Sequence, residues 1–330
     1  MTVATLRFGI LGAARIAPMA IVRPARYLQG VEVIAVAARD EARAQRFARR
    51  HGLAKVHRSY EELLADPELD AVYVPLPNSH HAEWAIRALE AGKHVLCEKP
   101  LASNAREAER MIEAAERSNR LLVEAFHWRH HPLAARMREI VTSGELGELR
   151  YVETAMCIPL PLPGDIRYRL DLAGGATMDT GCYAMDIARF LADQEPEVVS
   201  AEARLSSPRV DRWMRAELRF PDGASGRVTC ALFSTTLVDV RARVVGSRGE
   251  LRVFNPVAPH LFHRLTVVTA GGAVRREKIA GDATYTHQLR AFAAAFRGES
   301  APVPALASSL ANMRAIDAVY AASGLGTRGA

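Results

Sequence analysis

Cysteine is scarce in this chain of 330 residues, and the four cysteines that occur are widely separated. They form no CxxC pair, so the sequence indicates neither a zinc site nor a disulfide framework. They are Cys97, Cys157, Cys182 and Cys230. This usage predicts a protein of the reducing cytoplasm.

Long apolar runs and basic runs are also missing. No stretch is apolar for long enough to span a bilayer, and the run that begins at Phe8 is too short for a signal peptide. The formal charge is +6, but the arginines are spread through every segment, and the sequence has no basic run interleaved with aromatic residues. We therefore expect neither a membrane nor a nucleic-acid partner. A local cluster of basic residues is better suited to binding an anionic small molecule.

The length is sufficient for two domains of ordinary size. From Leu6 to Glu124, apolar strands alternate with helical segments, which predicts an α/β domain with a parallel sheet over residues 1–124. After Glu124 the strands become longer and alternate apolar with polar residues. This pattern predicts an α+β domain with a large, mostly antiparallel open sheet over residues 125–330.

The first strand, Leu6 to Leu11, runs into the small residues Gly12 to Ala17, a degenerate form of the GxGxxG/A motif. In that motif Gly12 makes the tight turn, and Ala14 lies where the backbone approaches a pyrophosphate. The motif predicts a Rossmann dinucleotide-binding fold. Because the central glycine is missing, a simple tight turn between strand and helix is the alternative.

The second strand, Val31 to Ala37, ends at Ala38, where an acidic residue would hold the ribose hydroxyls of NAD. Arg39 follows, and Arg43 lies one helical turn later. Two guanidinium groups suit a 2′-phosphate, so the predicted cofactor is NADP(H). The alternative is an exposed helix start, with both arginines paired to nearby acidic residues.

Prolines end the strand Ala71 to Val74, and Asn78 is expected to cap the helix that continues through Gly92. Backbone N–H groups at such a helix start suit a phosphate or a carboxamide. His81 is a further candidate, although a histidine in the first turn of a helix is more often structural. The predicted cofactor-binding residues are Gly12, Ala14, Arg15, Ile16, Arg39, Arg43, Pro75, Leu76, Pro77, Asn78, His81, Glu98 and Lys99.

Lys99 follows a short apolar strand that ends at Cys97, and ligands of open parallel sheets bind at the carboxyl ends of strands. Lysine is rare in this arginine-rich chain, occurring elsewhere only at Lys55, Lys93 and Lys278. A lysine where arginine is the usual basic residue suggests that its compact, titratable ammonium matters. A solvated charge at the end of a strand is the alternative.

Several separate motifs, in the expected order and over nearly the whole chain, resemble the Gfo/Idh/MocA family of nicotinamide-dependent oxidoreductases. The matching stretches are Gly9 to Gly12, Pro77-Asn78, Ala91 to Pro100, Asp179-x-Gly181-x-Tyr183 and Val245 to Leu251. Tyr183 resembles the tyrosine-type branch, which contains glucose-fructose oxidoreductase, dimeric dihydrodiol dehydrogenase, xylose dehydrogenase and keto-sugar reductases. Many other members have histidine there, and the difference argues against an inositol substrate.

The resemblance implies hydride transfer between nicotinamide C4 and a sugar, keto-sugar or cyclic polyol, with Lys99, Asp179 and Tyr183 as catalytic residues. A free tyrosine has a pKa of about 10, and a nearby ammonium lowers it. Tyr183 is the proposed acid, with Lys99 polarising the substrate oxygen; alternatively Lys99 delivers the proton and Tyr183 only positions the substrate. Lys99, Arg129, Arg169, Asp179 and Tyr183 are the predicted substrate contacts.

The second half leaves three features open. The histidines between His127 and His131 have no carboxylate or cysteine partner at ligand spacing, so no metal site is predicted. The proline-rich loop 158–164 either walls a substrate pocket or connects two elements. The resemblance also implies that the 125–330 domain binds substrate and pairs subunits through the open face of its sheet, giving a homodimer or homotetramer.

Two other functions remain as alternatives. One is a trans-dihydrodiol dehydrogenase acting on aromatic diols. The other is a sensor or regulator that binds NADP without turnover, which the joint presence of Lys99, Asp179 and Tyr183 argues against.

Overall fold

The computed structural model describes residues 5–161, 164–233 and 235–329. The chain divides into two compact units. The first consists of residues 1–102, 106–127 and 285–310, and the second of residues 103–105, 128–284 and 311–330. A segment near the end of the chain therefore belongs to the first unit, whereas the sequence predicted a single boundary after Glu124.

The first unit contains a parallel sheet of six strands in the order β3-β2-β1-β4-β5-β6. Its strands are β1 (Leu6–Leu11), β2 (Val31–Ala37), β3 (Lys55–His57), β4 (Ala71–Val74), β5 (His94–Cys97) and β6 (Leu122–Glu124). This is the strand order of a dinucleotide-binding fold, in which the direction of winding reverses between β1 and β4. The predicted Rossmann sheet is confirmed.

The second unit contains a sheet of eight strands in the order β14-β13-β12-β11-β7-β10-β9-β8. The strands are β7 (Leu149–Cys157), β8 (Glu197–Ser207), β9 (Val210–Arg219), β10 (Ser225–Ala231), β11 (Asp239–Gly246), β12 (Gly249–Phe254), β13 (Arg264–Thr269) and β14 (Val274–Glu277). All neighbours are antiparallel except β7 and β10. The predicted large, mostly antiparallel sheet is confirmed.

The α-helices vary from three to seventeen residues in length. They are α1 (Arg23–Ala25), α2 (Glu41–His51), α3 (Tyr60–Ala65), α4 (His81–Glu90), α5 (Ala105–Ser118), α6 (Pro132–Thr142), α7 (Cys182–Ala192), α8 (Thr284–Phe296) and α9 (Leu306–Ala322). Among the described residues, no helix is both long and apolar enough to cross a membrane.

A side-chain cap marks the start of α3 but not the start of α4. Ser59 and, three residues later, Glu62 have the spacing of a capping box, which predicts a helix start here. The side chain of Ser59 accepts a hydrogen bond from the backbone N–H of Glu62 and caps α3, so this prediction is confirmed. The expected cap at Asn78 is wrong, because α4 begins only at His81, after a short 3₁₀ turn, and has no side-chain cap. Asn78 therefore lies in the connection from β4 and not at the end of the α-helix.

Apolar side chains of the first unit form a core on one face of the parallel sheet. Phe8 and Ile10 of β1 are fully buried, and Phe292 of α8 packs against Phe8 with ring centroids 5.3 Å apart. Burial of such side chains typically stabilises a fold by about 1.5–3 kcal/mol each. This contact explains why α8 belongs to the first unit despite its late position in the chain.

The sheet of the second unit has one face packed on α7 and one charged face. Thr154 in β7 is fully buried and donates to the carbonyl of Ala184 in α7 at 2.8 Å. On the opposite face, Arg241 donates to Glu153 at 2.9 Å. The alternation of residue types along β11 follows from this division, since successive side chains of a strand point to opposite faces.

Candidate active site

The loop after β1 is shaped by a glycine with a positive φ of 103°. A Cβ atom at Gly12 would lie 3.1 Å from Cδ2 of Leu76 and 3.6 Å from the hydroxyl of Tyr60. The backbone N–H of Ala14 donates to the Gly12 carbonyl at 2.8 Å and closes the turn. The ends of β1 and β4 thus approach closely, and the turn requires glycine for both its φ and its space.

Arg43 lies against this loop. Its Nη2 donates to the carbonyl oxygen of Ala13 at 2.8 Å, and its backbone N–H donates to Asp40, which caps α2. Arg39 is exposed at the end of β2. The Arg43 guanidinium therefore lies against the glycine turn, and the charges of Arg39 and Arg43 both act on Tyr60 beside it. A phosphate on the adenosine ribose of a dinucleotide would be expected in this region.

Tyr60 is a residue of this cluster that the sequence reasoning missed. Burial raises the pKa of its hydroxyl, and the positive charges of Arg39 and Arg43 act in the opposite direction. Its ring packs edge to face on Trp84, with centroids 4.7 Å apart. In the sequence Tyr60 appeared only as the first residue of a capped helix, so its hydroxyl gave no signal of a site.

His81 was a predicted cofactor contact, but the structure places its side chain inside the protein. The ring is fully buried, with Nδ1 2.8 Å from the Pro100 carbonyl oxygen and Nε2 2.9 Å from the Leu76 carbonyl oxygen. Burial lowers the pKa of His81 to about 4, outweighing the two carbonyls, which favour the protonated ring. At neutral pH the ring is therefore neutral and donates one hydrogen bond, while it lies between a carbonyl of the loop after β4 and a carbonyl of the loop after β5.

Lys99 lies directly after β5, in a loop that several side chains support. Tyr73 of β4, fully buried, donates its hydroxyl to Glu98 at 2.5 Å. Glu124 at the end of β6 accepts from the backbone N–H of Leu101 at 2.8 Å. With His81 on Pro100, these contacts fix the backbone on both sides of Lys99, at the edge of the sheet where β4 and β5 end.

In the second unit, Asp179 and Tyr183 lie at the start of one helical segment. Residues Thr177–Gly181 form a wide π-helical turn that leads directly into α7. The Tyr183 residue is 5% exposed and the Asp179 side chain 15% exposed. Asp179 and Tyr183 therefore belong to one continuous helical element.

The structure pairs Asp179 with an arginine that the sequence reasoning did not select. Nε of Arg167 lies 2.9 Å from Oδ2 of Asp179, and its Nη1 donates to Asp165 at 3.1 Å. The predicted Arg169 instead pairs with its near neighbour Asp171, and both of these side chains are exposed. The two arginines lie two residues apart, and residue type alone did not distinguish them.

Arg129, predicted as a substrate contact, is buried in an ion pair. Its Nε and Nη2 donate to the two oxygens of Asp186 in α7, at 2.9 and 2.5 Å, and only 9% of the side chain is exposed. The indole N–H of Trp128 donates to the same carboxylate at 2.9 Å. This geometry supports the alignment of α7 and leaves the planar face of the guanidinium against Phe190.

The histidines at the start of the second half have structural contacts. His127 stacks on Tyr285 with centroids 4.1 Å apart, and Nδ1 of His131 accepts from the backbone N–H of Leu133. Within the described residues, no group of three histidine, cysteine, aspartate or glutamate side chains is arranged to hold a metal ion. In the proline-rich loop, Leu162 and Pro163 lie outside the described residues, while Leu160 accepts from the Tyr168 hydroxyl at 2.8 Å.

Two family models match the chain. Residues 6–126 match the oxidoreductase family with an NAD-binding Rossmann fold, and residues 134–252 match the GFO/IDH/MocA C-terminal domain. The chain is a member of the Gfo/Idh/MocA family of oxidoreductases. The family predicted from the sequence is thereby confirmed, and so is the prediction of an oxidoreductase.

Relatives with known names include D-xylose 1-dehydrogenase (NADP(+)) 2 from Haloferax volcanii, 38% identical over 96% of each chain. Trans-1,2-dihydrobenzene-1,2-diol dehydrogenase from Sus scrofa is 34% identical over 68% of this chain and 67% of its own. Among solved structures, a 3-ketoreductase from Actinomadura kijaniata in complex with NADP and TDP-benzene has a TM-score of 0.89. It is 31% identical, over 96% of this chain and 98% of that chain. The predicted cofactor agrees with the one named for the first and third of these proteins.

Proposed function

We propose that the protein is an NADP(H)-dependent oxidoreductase that transfers hydride between nicotinamide C4 and the carbonyl or hydroxyl carbon of a sugar, keto-sugar or cyclic polyol. The observation that carries the cofactor assignment is the bond from Arg43 to the Ala13 carbonyl, with Arg39 exposed nearby. An acidic residue at the end of β2 would repel a 2′-phosphate, and Ala38 stands there instead.

The residues present fit the cofactor. Gly12 makes the tight turn of a dinucleotide-binding motif, which requires glycine for its φ and its space, and the Tyr60 hydroxyl lies beside that turn. Arg39 and Arg43 provide guanidinium groups for the 2′-phosphate. In our proposal the other predicted contacts, from Ala14 to Ile16 and from Pro75 to Asn78, line the dinucleotide, together with Glu98 and Lys99.

NADPH supplies hydride to the substrate carbon, and the protein must stabilise the negative charge that develops on the substrate oxygen. The ammonium of Lys99 polarises that oxygen, an interaction typically worth about 3 kcal/mol in rate when one such donor is lost. Tyr183 donates the proton in reduction and accepts it in oxidation. Lys99 as the proton donor, with Tyr183 positioning the substrate, is the alternative.

Asp179 orients a substrate hydroxyl, and Arg167 holds the carboxylate of Asp179 in place. The proposed roles of Arg129 and Arg169 change with the structure. Arg129 supports α7 through Asp186, and Arg169 pairs with Asp171 at the surface, so neither is proposed as a main substrate contact.

The relative from Sus scrofa favours one second candidate, oxidation of aromatic trans-dihydrodiols. A single assay separates it from sugar chemistry: NADPH formation or consumption by the purified protein with a panel of ketoses, aldoses, keto-sugar nucleotides and dihydrodiols. Turnover of a sugar or polyol, lost in Lys99→Ala and Tyr183→Phe, supports the proposal. Turnover of dihydrodiols alone favours the second candidate, and NADPH binding without any turnover favours a sensor.

The oligomeric state stays a prediction. A homodimer or homotetramer through the charged face of the eight-stranded sheet is expected from the family resemblance, and Arg241 and Glu153 lie on that face. Light scattering of the purified protein measures the mass directly, and a monomeric mass over a wide range of concentrations would contradict the expectation.

A further inference from the structure

A fully buried arginine follows the last helix. Nη2 of Arg328 donates to Oδ1 of Asp211 at 3.0 Å, and its Nε donates to the carbonyl of Gly174 at 3.0 Å. The guanidinium carbon lies 3.8 Å from the centroid of the Tyr320 ring. Neither Arg328 nor Asp211 has any exposed side-chain surface. Arginine is almost never buried to this extent unless paired, and here each of these contacts restricts its position.

Both oxygens of Asp211 accept two hydrogen bonds each. Oδ1 accepts from Arg328 and from the hydroxyl of Tyr320, both at 3.0 Å. Oδ2 accepts from the backbone N–H and from the hydroxyl of Thr177, both at 2.7 Å. A carboxylate with four donors around it is held in one orientation, so Asp211 connects Arg328 rigidly to Thr177.

Thr177 is the first residue of the helical turn that carries Asp179, and the same segment continues to Tyr183. The first N–H groups of a helix have no partner within the helix, and a carboxylate there both accepts a hydrogen bond and complements the helix dipole. Asp211 performs both tasks at the start of this element. We call Asp211, with its hydrogen bonds to Arg328, Tyr320 and Thr177, the anchor. It holds Thr177, which lies two residues before Asp179 and six before Tyr183.

Gly175 makes room for the anchor. Its φ is +139°, and a Cβ atom there would lie 2.7 Å from the Tyr320 hydroxyl and would also collide with the Asp211 carboxylate. Its carbonyl accepts from the backbone N–H of Asp179 at 3.1 Å. The turn at Gly175 is therefore coupled both to the anchor and to the backbone of a proposed catalytic residue.

The backbone of Arg328 makes a further contact. Its carbonyl accepts from Nδ2 of Asn104 at 2.8 Å, and Asn104 follows Lys99 by five residues in the chain. The next N–H, of Ala105, donates to Asp317 in α9 at 2.9 Å. The segment after α9 is thus bonded through both the side chain and the backbone of Arg328.

A buried ion pair is weak evidence for stability alone, because apolar residues of similar volume often replace such pairs without loss. What distinguishes this pair is its second partner, the start of the segment with Asp179 and Tyr183. We propose that Arg328 is a positioning residue for hydride transfer: through Asp211 it fixes the helical start at Thr177 and thereby the placement of Asp179 and Tyr183. This inference rests on the proposed function.

Two variants test the inference. Arg328→Met removes the charge and the bonds to Asp211 and Gly174. Thr177→Val keeps the shape of the side chain and removes its hydroxyl, which donates to Asp211 and accepts a long contact from the Cys230 thiol at 3.9 Å. The matched control is Arg209→Met, an exposed arginine that contacts the carbonyl of Leu325 in the same segment. The measurements are kcat and KM for the sugar substrate, the Kd for NADPH, and amide hydrogen exchange of residues 177–183.

We expect kcat to fall about tenfold to a hundredfold in Arg328→Met and several-fold in Thr177→Val, since small misplacements of reacting groups cost this much. The Kd for NADPH stays within about twofold, amides 177–183 exchange faster, and Arg209→Met behaves as wild type. An unchanged kcat, or a loss of kcat matched by an equal loss of NADPH binding, overturns the inference. If Arg328→Met does not fold, Thr177→Val decides by the same criteria.

Failure of the proposed function gives a different result. In that case wild-type protein binds NADPH but turns over no sugar, polyol or diol. Amide exchange then tests the anchor by itself. Faster exchange confined to residues 177–183 in the variants supports it, and unchanged exchange there overturns it.

Discussion

Arg43 donates from Nη2 to the carbonyl oxygen of Ala13 at 2.8 Å, so a guanidinium from the helix after β2 lies against the glycine turn after β1. The exposed Arg39 precedes it by one helical turn. In a dinucleotide-binding fold this arrangement favours a ribose that carries a 2′-phosphate, because each guanidinium can make charge-assisted hydrogen bonds to phosphate oxygens.

Arg43→Ala is expected to weaken NADPH binding about tenfold to a hundredfold, the usual effect of losing a hydrogen bond to a charged group. NADH has no 2′-phosphate, so its affinity should change by less than about threefold. Isothermal titration of both cofactors measures the difference. Arg46→Ala, on the same helix, is the matched control. Equal losses for NADPH and NADH would show that Arg43 acts on the fold of the loop and not on the phosphate.

Tyr60→Phe removes a hydroxyl that faces the space above Gly12 while leaving the packing against Trp84. If this hydroxyl contacts the cofactor, NADPH affinity falls by about threefold to tenfold, as for the loss of one hydrogen bond of about 1 kcal/mol. The unfolding midpoint in urea should be almost unchanged. Retained NADPH affinity would assign Tyr60 to the core alone.

The lowered pKa of His81 predicts a specific dependence of the unfolding free energy on pH. Burial lowers its pKa from 6.5 to about 4, so the unfolded chain binds a proton in a pH range where the folded protein does not. Its contribution is therefore complete above pH 6.5 and is lost as the pH falls from 6.5 to 4, on the order of 3 kcal/mol in total.

Urea unfolding at a series of pH values measures this dependence. His81→Asn should flatten the slope of unfolding free energy in that range. A slope in His81→Asn equal to that of wild type would show that other groups cause the acid sensitivity.

Arg129→Met leaves the Asp186 carboxylate, only 1% exposed, without its bidentate partner. Removing one member of a buried pair typically costs about 3–5 kcal/mol. The double variant Arg129→Met, Asp186→Leu should recover only part of that loss, because the buried indole N–H of Trp128 then has no acceptor. Arg138→Met, which breaks a more exposed pair with Asp193, should cost less than about 1 kcal/mol. A small loss in Arg129→Met itself would contradict a supporting role for this pair.

Local sequence patterns predicted much of the fold. Apolar runs predicted β1, β2, β4, β5 and β6. A serine three residues before a glutamate predicted the start of α3. These features depend on residues near one another in the chain. The return of α8 to the first unit was not predicted, because it depends on the packing of Phe292 against Phe8, nearly the whole chain apart.

In the candidate site, too, local patterns located some residues, whereas the positions of others depend on contacts that the local sequence does not show. The placement of Lys99, Arg43 and Gly12 follows from strand ends, which periodicity identifies. The choice between Arg167 and Arg169 as the partner of Asp179 depends on how a 3₁₀ turn orients two neighbouring side chains. The burial of Arg129 depends on Asp186, 57 residues later, and residue type gave no indication of it.

The central claim is that this protein transfers hydride with NADP(H) and that Lys99 and Tyr183 act on the substrate oxygen. The most direct test is the steady-state rate of NADPH oxidation with keto-sugars, measured for wild type, Lys99→Ala and Tyr183→Phe at matched occupancy of the cofactor. The predicted result is turnover by wild type and a fall in kcat of roughly a hundredfold or more in each variant, with NADPH still bound. Binding of NADPH to saturation without turnover of any substrate, or an unchanged kcat in Lys99→Ala, would contradict the account.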